Sequence, residues 1–215
     1  MGVADDRELD AARALAAEAM RRFGHALHSR EADVALLRRV AAQATTGADA
    51  LDAAPRRVRD LGELRRGIWS DPVDDGAEMD HFSDCFVSGP WNPMGIGIRV
   101  HRDGDEAVAS ITLGPAYEGA PGRSHGGIVA AIFDDVLGCI LRFVGQPAYT
   151  GELKVRYQAP TPIGVPLTFR ARLLQVDGRK IDAVATAFSH EIEGGEPVAL
   201  ATASARFIAI DSYVT

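Results

Sequence analysis

Residues 121–143 read Pro-Gly-Arg-Ser-His-Gly-Gly-Ile-Val-Ala-Ala-Ile-Phe-Asp-Asp-Val-Leu-Gly-Cys-Ile-Leu-Arg-Phe. A turn rich in glycine and proline gives way to an apolar segment of helical length. Two adjacent carboxylates, Asp134 and Asp135, sit in its middle. An ionised carboxylate in an apolar setting is costly, so each needs a partner or a purpose. On a wheel of about 100° per residue, Ile128, Ile132, Val136, Cys139, Ile140 and Phe143 share one broad arc, which must bury against another layer. Asp134, Asp135, Ala131, Gly138 and Arg142 share the opposite arc. The wheel sets Asp134 at the apolar flank, where burial would raise its pKa. It sets Asp135 toward Arg142, as an ion pair. Ala131 and Gly138 are small enough to admit a ligand or a second backbone.

The turn before this helix, Ser124-His125-Gly126-Gly127, puts consecutive glycines at a helix start, with Ser124 as the expected cap. Backbone N–H groups are free there and sit at the positive end of the helix dipole. Such a turn can hold an anion or a developing oxyanion. The run Gly122-Arg-Ser124-His-Gly126 also matches the nucleophile elbow, and Asp177 or Asp182 with His190 follows in triad order. An elbow needs a buried strand directly before it, and the preceding Ala116–Pro121 reads as a loop, so the match is set aside.

The helix is flanked by very different stretches. Upstream, residues 5–28 carry the apolar stripe Leu9, Ala12, Ala16, Ala19, Met20, Phe23, Leu27, and predict an amphipathic helix capped at Asp5 or Asp6. A second helix is predicted over 31–44, capped by Ser29 and ended by Thr45-Thr46-Gly47, and a third around 56–66. The acidic, turn-rich stretch at 70–80 marks a boundary. Strands are predicted at Phe82–Val87, Ile96–His101 and Glu106–Leu113. After the helix, further strands follow at Tyr149–Gln158, Val165–Val176, Lys180–His190 and Pro197–Ile210. Val176-Asp177-Gly178-Arg179 is a tight hairpin turn. One long helix followed by hairpin-linked strands gives an α+β class with an antiparallel sheet. The organisation expected is a helical arm at 1–70, a linker at 71–80 and a main domain at 81–211.

Bulk properties narrow the function. A net charge of −7 argues against nucleic acid or an anionic membrane as the partner. Two cysteines, Cys85 and Cys139, make no disulfide framework, and the histidines show no paired metal-ligand spacing. The start lacks the pattern of a signal peptide, and the best apolar run contains Asp134, Asp135 and Arg142, so a cytoplasmic setting is expected.

As a set, these residues resemble the hot-dog-fold acyl-CoA thioesterases, in the phenylacetate-pathway and Them4-like branch. The shared pattern is Tyr117-Glu-Gly-Ala-Pro-Gly122, then His125-Gly126-Gly127, then six residues to Asp134. Asp84–Gly95 resembles the family's entry segment, and Gly151–Pro162 its strand after the helix. The resemblance covers about 81–210 and leaves the arm outside.

It implies an antiparallel sheet wrapped around one central helix. Protomers would pair edge to edge into a homodimer or a dimer of dimers, with sites at the interface. It also implies hydrolysis of acyl-CoA to a carboxylate and CoA, with no cofactor beyond the CoA of the substrate. Asp134 is then the general base or nucleophile. Gly126 N–H polarises the thioester carbonyl, with His125 shaping that site and Gly127 beside it. Thr150, from the facing protomer, orients the water or the carboxylate. Some members of that family place an Asn in the loop before His-Gly-Gly, where this chain has Gly119 and Ala120, so that donor is absent. The CoA phosphates call for cations, and Lys154, Arg156, Arg179 and Lys180 are the candidates. A non-catalytic acyl-CoA-binding or regulatory domain, with the arm as partner surface, is the alternative; it predicts binding without thiol release. Dehydratase chemistry would need Asp and His poised as acid and base, and His125 is committed to the turn.

Overall fold

A computed structural model describes residues 3–58, 73–79, 82–189 and 197–210. The strands β1 (Arg99–Asp103), β2 (Glu106–Thr112), β5 (Ala148–Tyr157), β6 (Pro166–Asp177), β7 (Lys180–Ser189) and β8 (Val198–Ala209) form one antiparallel sheet. Their order is β1-β2-β6-β7-β8-β5. A short hairpin of β3 (Glu118–Ala120) and β4 (Arg123–Ser124) stands apart from it. Among the described residues the helices are α1 (Val3–Ser29), α2 (Val34–Asp52), α3 (Gly126–Cys139) and α4 (Leu141–Val144). A 3-10 turn, Pro115–Tyr117, lies between β2 and β3.

The sheet wraps α3, and residue size explains how closely. Strand alternation puts every second residue on the inner face. On β7 and β8 that face is Ala183, Ala185, Ala187, Ala201, Ala203 and Ala205, all buried. These methyls leave a trough, which Ile132, Phe133, Val136 and Leu137 of α3 fill completely. Phe133 meets Phe169 of β6 edge-on, with ring centroids 5.1 Å apart. Each large side chain buried this way contributes about 1.5–3 kcal/mol. Gly145, at φ 68°, closes the short α4 in the left-handed conformation that glycine tolerates best.

The boundaries differ from expectation in three places. Asp5 and Asp6 lie within the first turns of α1 rather than capping it. Asp33 caps α2, its Oδ1 accepting from Leu36 N–H at 2.7 Å. That helix runs on through Thr45-Thr46-Gly47 to Asp52. Thr46 bonds back to the Ala42 carbonyl at 3.0 Å, and alanines on either side sustain the helix past the glycine.

Phe82–Val87 is a chain of turns, not a strand. Cys85 N–H bonds to Phe82 O at 2.7 Å and Gly89 N–H to Cys85 O at 3.0 Å. A side chain on Gly89 would collide with the Cys85 backbone, so this winding depends on glycine. Most of the third predicted helix falls outside the described residues, as does His190. Residues 73–79 lie along β1: Met79 N–H bonds to Val100 O at 2.7 Å, and Val73 and Met79 are buried in the main core. Among the described residues, no helix is long and apolar enough to cross a membrane.

Candidate active site

The helix α3 presents an open stripe of Gly127, Ala131, Asp134 and Gly138, spaced four, three and four residues apart. Nothing lies within 4 Å of where a Cβ on Gly138 would be, so the stripe faces space. Asp134 is exposed on it and accepts a hydrogen bond from the Thr150 hydroxyl at 3.0 Å. Asp135 points inward. It is 8% exposed and accepts from the Cys85 thiol at 3.2 Å. The burial of the two carboxylates is therefore the reverse of what the wheel suggests. The wheel ranks positions by the apolarity of their own helix. Here the turn carrying Cys85, which the wheel cannot include, covers Asp135.

Thr150 reaches Asp134 within one chain, whereas the resemblance implied that it would come from a second protomer. A β-bulge explains its orientation. Between Thr150 and Glu152 the register with β8 slips by one residue, at Gly151. Simple alternation would put Thr150 on the face of Glu152, Lys154 and Arg156. The extra residue moves it to the face of Leu153, Val155 and Tyr157, against the helix.

At the other end of the helix His125, not Ser124, is the N-cap. Its Nδ1 accepts from Gly127 N–H at 3.0 Å. A ring nitrogen that accepts leaves the proton of a neutral imidazole on Nε2. Gly119 packs directly on this turn, and a Cβ there would lie 2.8 Å from the His125 Cα. Position 119 thus has no room here for a side chain. No hydrogen bond among the described residues takes the Gly126 N–H. Tyr157, the last residue of β5, covers Gly126 and donates its hydroxyl to the Gly126 carbonyl at 2.7 Å. Sequence reasoning passed over Tyr157, although its alternation with Leu153 and Val155 already put it on the helix side.

Two clefts open along the seam between α3 and β5. One, of about 480 Å³, is bordered by Gly119, Arg123, His125, Gly126 and Tyr157. The other, of about 220 Å³, is bordered by Asp134, Gly138, Arg142, Tyr149 and Thr150. Gly126 and Asp134 are eight residues apart on α3, about 12 Å of helix rise. A base and a carbonyl-binding N–H that serve one reacting carbonyl must each lie within about 3 Å of its atoms. Within one chain the Asp134 carboxylate and the Gly126 N–H are therefore too far apart to act on one carbonyl.

The expected phosphate-binding cations divide. Lys154 and Arg156 project from the outer face of β5, away from both clefts. Arg179 and Lys180 sit at the β6–β7 turn, near the start of β5 and so toward the Thr150 end, where Arg179 Nε donates to the Ala209 carbonyl at 3.0 Å. Arg123, which sequence reasoning did not single out, borders the larger cleft. The elbow partners are not assembled. Ser124 ends a two-residue strand, and Asp182 is held by Arg206, whose hydrogen bond, ahead of that from Gln175, pulls its pKa down to about 2.

Residues 122–196 match the family model described as Thioesterase superfamily. The chain carries a thioesterase-superfamily domain. Acyl-coenzyme A thioesterase THEM4 of Xenopus laevis is 31% identical over 84 residues, which is 39% of this chain and 38% of that protein. THEM4 of Bos taurus is 26% identical over 133 residues, 61% of this chain and 55% of that protein. The chain thus spans only part of the length of these curated relatives. A solved structure, the thioesterase superfamily protein RHA08564, aligns at a TM-score of 0.74 with 28% identity, over 91% of this chain and 90% of that one. Residues 122–196 are 75 of the 215, so an alignment over 91% of the chain extends well beyond the residues that match the family model and takes in N-terminal helix. The fold is the hot dog: one helix in a wrapped antiparallel sheet.

Proposed function

We propose that this protein hydrolyses acyl-CoA thioesters to a carboxylate and CoA, and does so as a homodimer paired along β5. The observation that carries the proposal is the separation of Asp134 with Thr150 from Gly126 with His125, at opposite ends of one seam. β5 is the edge of the sheet, and no described strand pairs with its outer side. Antiparallel pairing of β5 with its copy brings the Thr150 end of one strand opposite the Tyr157 end of the other. Asp134 of one protomer then faces the partner's Gly126. The names of the curated relatives support the substrate class.

In the proposed reaction the thioester carbonyl accepts from the partner's Gly126 N–H, at the positive end of a helix. Asp134, oriented by Thr150, takes a proton from water as the water oxygen bonds to the carbonyl carbon. The tetrahedral intermediate collapses, the C–S bond breaks, and the proton passes to the departing CoA thiolate. Arg123 at the larger cleft and Arg179 with Lys180 at the other end supply cations for the CoA phosphates.

Subunit mixing tests this directly. Asp134→Asn removes the base. Gly126→Pro removes the N–H at the first helical position, where proline is well tolerated. Each variant alone is expected to lose at least about 100-fold in turnover of acyl-CoA, followed by thiol release. A mixed dimer carries one intact site, so co-refolding the two variants restores about a quarter of wild-type activity. A mixture as inactive as its components rejects the shared site, and full turnover by Asp134→Asn rejects the assigned base.

A further inference from the structure

The arm is bonded to the segment that holds the His125 turn. The Ala116 N–H donates to His25 Nδ1 of α1 at 3.1 Å, and the His25 ring meets Tyr117 edge-on at 4.9 Å. The same ring lies flat on Gly114, where an added Cβ would come 2.5 Å from Cε1, so the contact is closed on two sides. Tyr117 in turn is fixed at both ends. Its hydroxyl donates to Gly95 O at 2.5 Å, and its carbonyl accepts the His125 N–H at 2.8 Å. His125 then caps α3 through Gly127. Only two polar links, Ala116 to His25 and Tyr117 to His125, separate the arm from the backbone of the carbonyl-binding turn.

We propose that His25 is a positioning residue for the thioester carbonyl, acting through the Pro115–Tyr117 turn on His125 and Gly126. The inference rests on the hydrolytic function proposed above and gives the arm a part in it. Neighbouring contacts act in the same direction. Arg21 donates to the Asn92 carbonyl at 2.8 Å, and His28 stands 3.5 Å from Glu118, whose other oxygen accepts the Gly122 N–H at 2.9 Å. Burial, and then the nearby His28, push the His25 imidazole below its ordinary pKa, which favours the neutral ring that can accept from Ala116. A carbonyl-binding N–H has little tolerance for displacement: a shift of about 1 Å in a positioning group costs up to 100-fold in rate.

The experiment compares the full-length wild type with His25→Leu, His25→Asn and Gly114→Ala. Leucine fills the space without an acceptor, asparagine restores an acceptor close to the Nδ1 position, and alanine at 114 displaces the ring from the opposite side. Acyl-CoA turnover and amide hydrogen exchange over 115–128 are both read. The expected result for His25→Leu and Gly114→Ala is a kcat about ten-fold lower with KM within about two-fold, and faster exchange at the Ala116 and His125 amides. His25→Asn recovers kcat to within about two-fold of wild type. An active wild type with unchanged kcat and exchange in His25→Leu overturns the positioning role and leaves the thioesterase function standing. Equal loss in His25→Asn and His25→Leu overturns it too, since the acceptor would then not matter. A wild type that releases no thiol overturns the function, and the positioning role of His25 with it.

Discussion

Asp134 and Asp135 are neighbours in the chain and belong to different regions of the molecule. Asp134 stands on the open stripe of α3, hydrogen-bonded to a hydroxyl from the edge strand. Asp135 is enclosed between α3 and the turn that carries Cys85. One helical step of about 100° separates a group available to chemistry from one that holds a loop to the core. The contrast teaches that a carboxylate's role follows from what covers it. The cover here comes from residues 50 positions away in the chain.

The comparison can be broken at either carboxylate. The largest expected effect is Asp134→Asn: turnover falls about 100- to 10,000-fold, while the melting temperature stays within a degree or two of wild type, since the group is exposed. Asp135→Ala should do the opposite. It leaves the Cys85 thiol without its acceptor and opens a small void, lowering unfolding free energy by about 1–3 kcal/mol in a denaturant titration. Activity per folded molecule should change far less than in Asp134→Asn. If the two variants exchange these signatures, the assignment of roles is inverted.

Two smaller changes sharpen the contrast. Thr150→Val removes the hydroxyl that orients Asp134 and is expected to lower kcat about ten-fold, with stability nearly unchanged. Cys85→Ala is the weakest, costing about 1 kcal/mol of stability with turnover kept. A Thr150→Val enzyme of full activity would mean that the 3.0 Å bond to Asp134 does not set the base.

Much of the fold is legible in the sequence, because two periodicities carry it. The apolar run at 128–143 announces a buried helix, and alternation over 149–210 announces strands joined by tight turns. The motif residues His125, Gly126 and Asp134 can be picked out from their spacing together with the family resemblance. Three features were hidden for identifiable reasons. Phe82–Val87 has the composition of a strand, yet Gly89 lets the backbone wind into turns. The face of Thr150 depends on one extra residue at Gly151, and counting by twos puts it on the wrong side. The docking of His25 on Ala116 joins residues 91 apart in sequence, and no local pattern signals it.

The alanine-lined trough of β7 and β8 has a consequence for how such a site can vary. The depth at which α3 rests is set by the methyl groups beneath it. Replacing Ala185 or Ala203 by valine would add volume under the helix at an overpacking cost of about 1–3 kcal/mol. That strain has an outlet, because α3 is open along the stripe of Gly127, Ala131, Asp134 and Gly138. The helix would ride away from the sheet and carry Asp134 with it. The core of this fold thus acts as a shim beneath the candidate site: alanine is the thinnest setting, and each added methyl lifts the helix farther from the sheet.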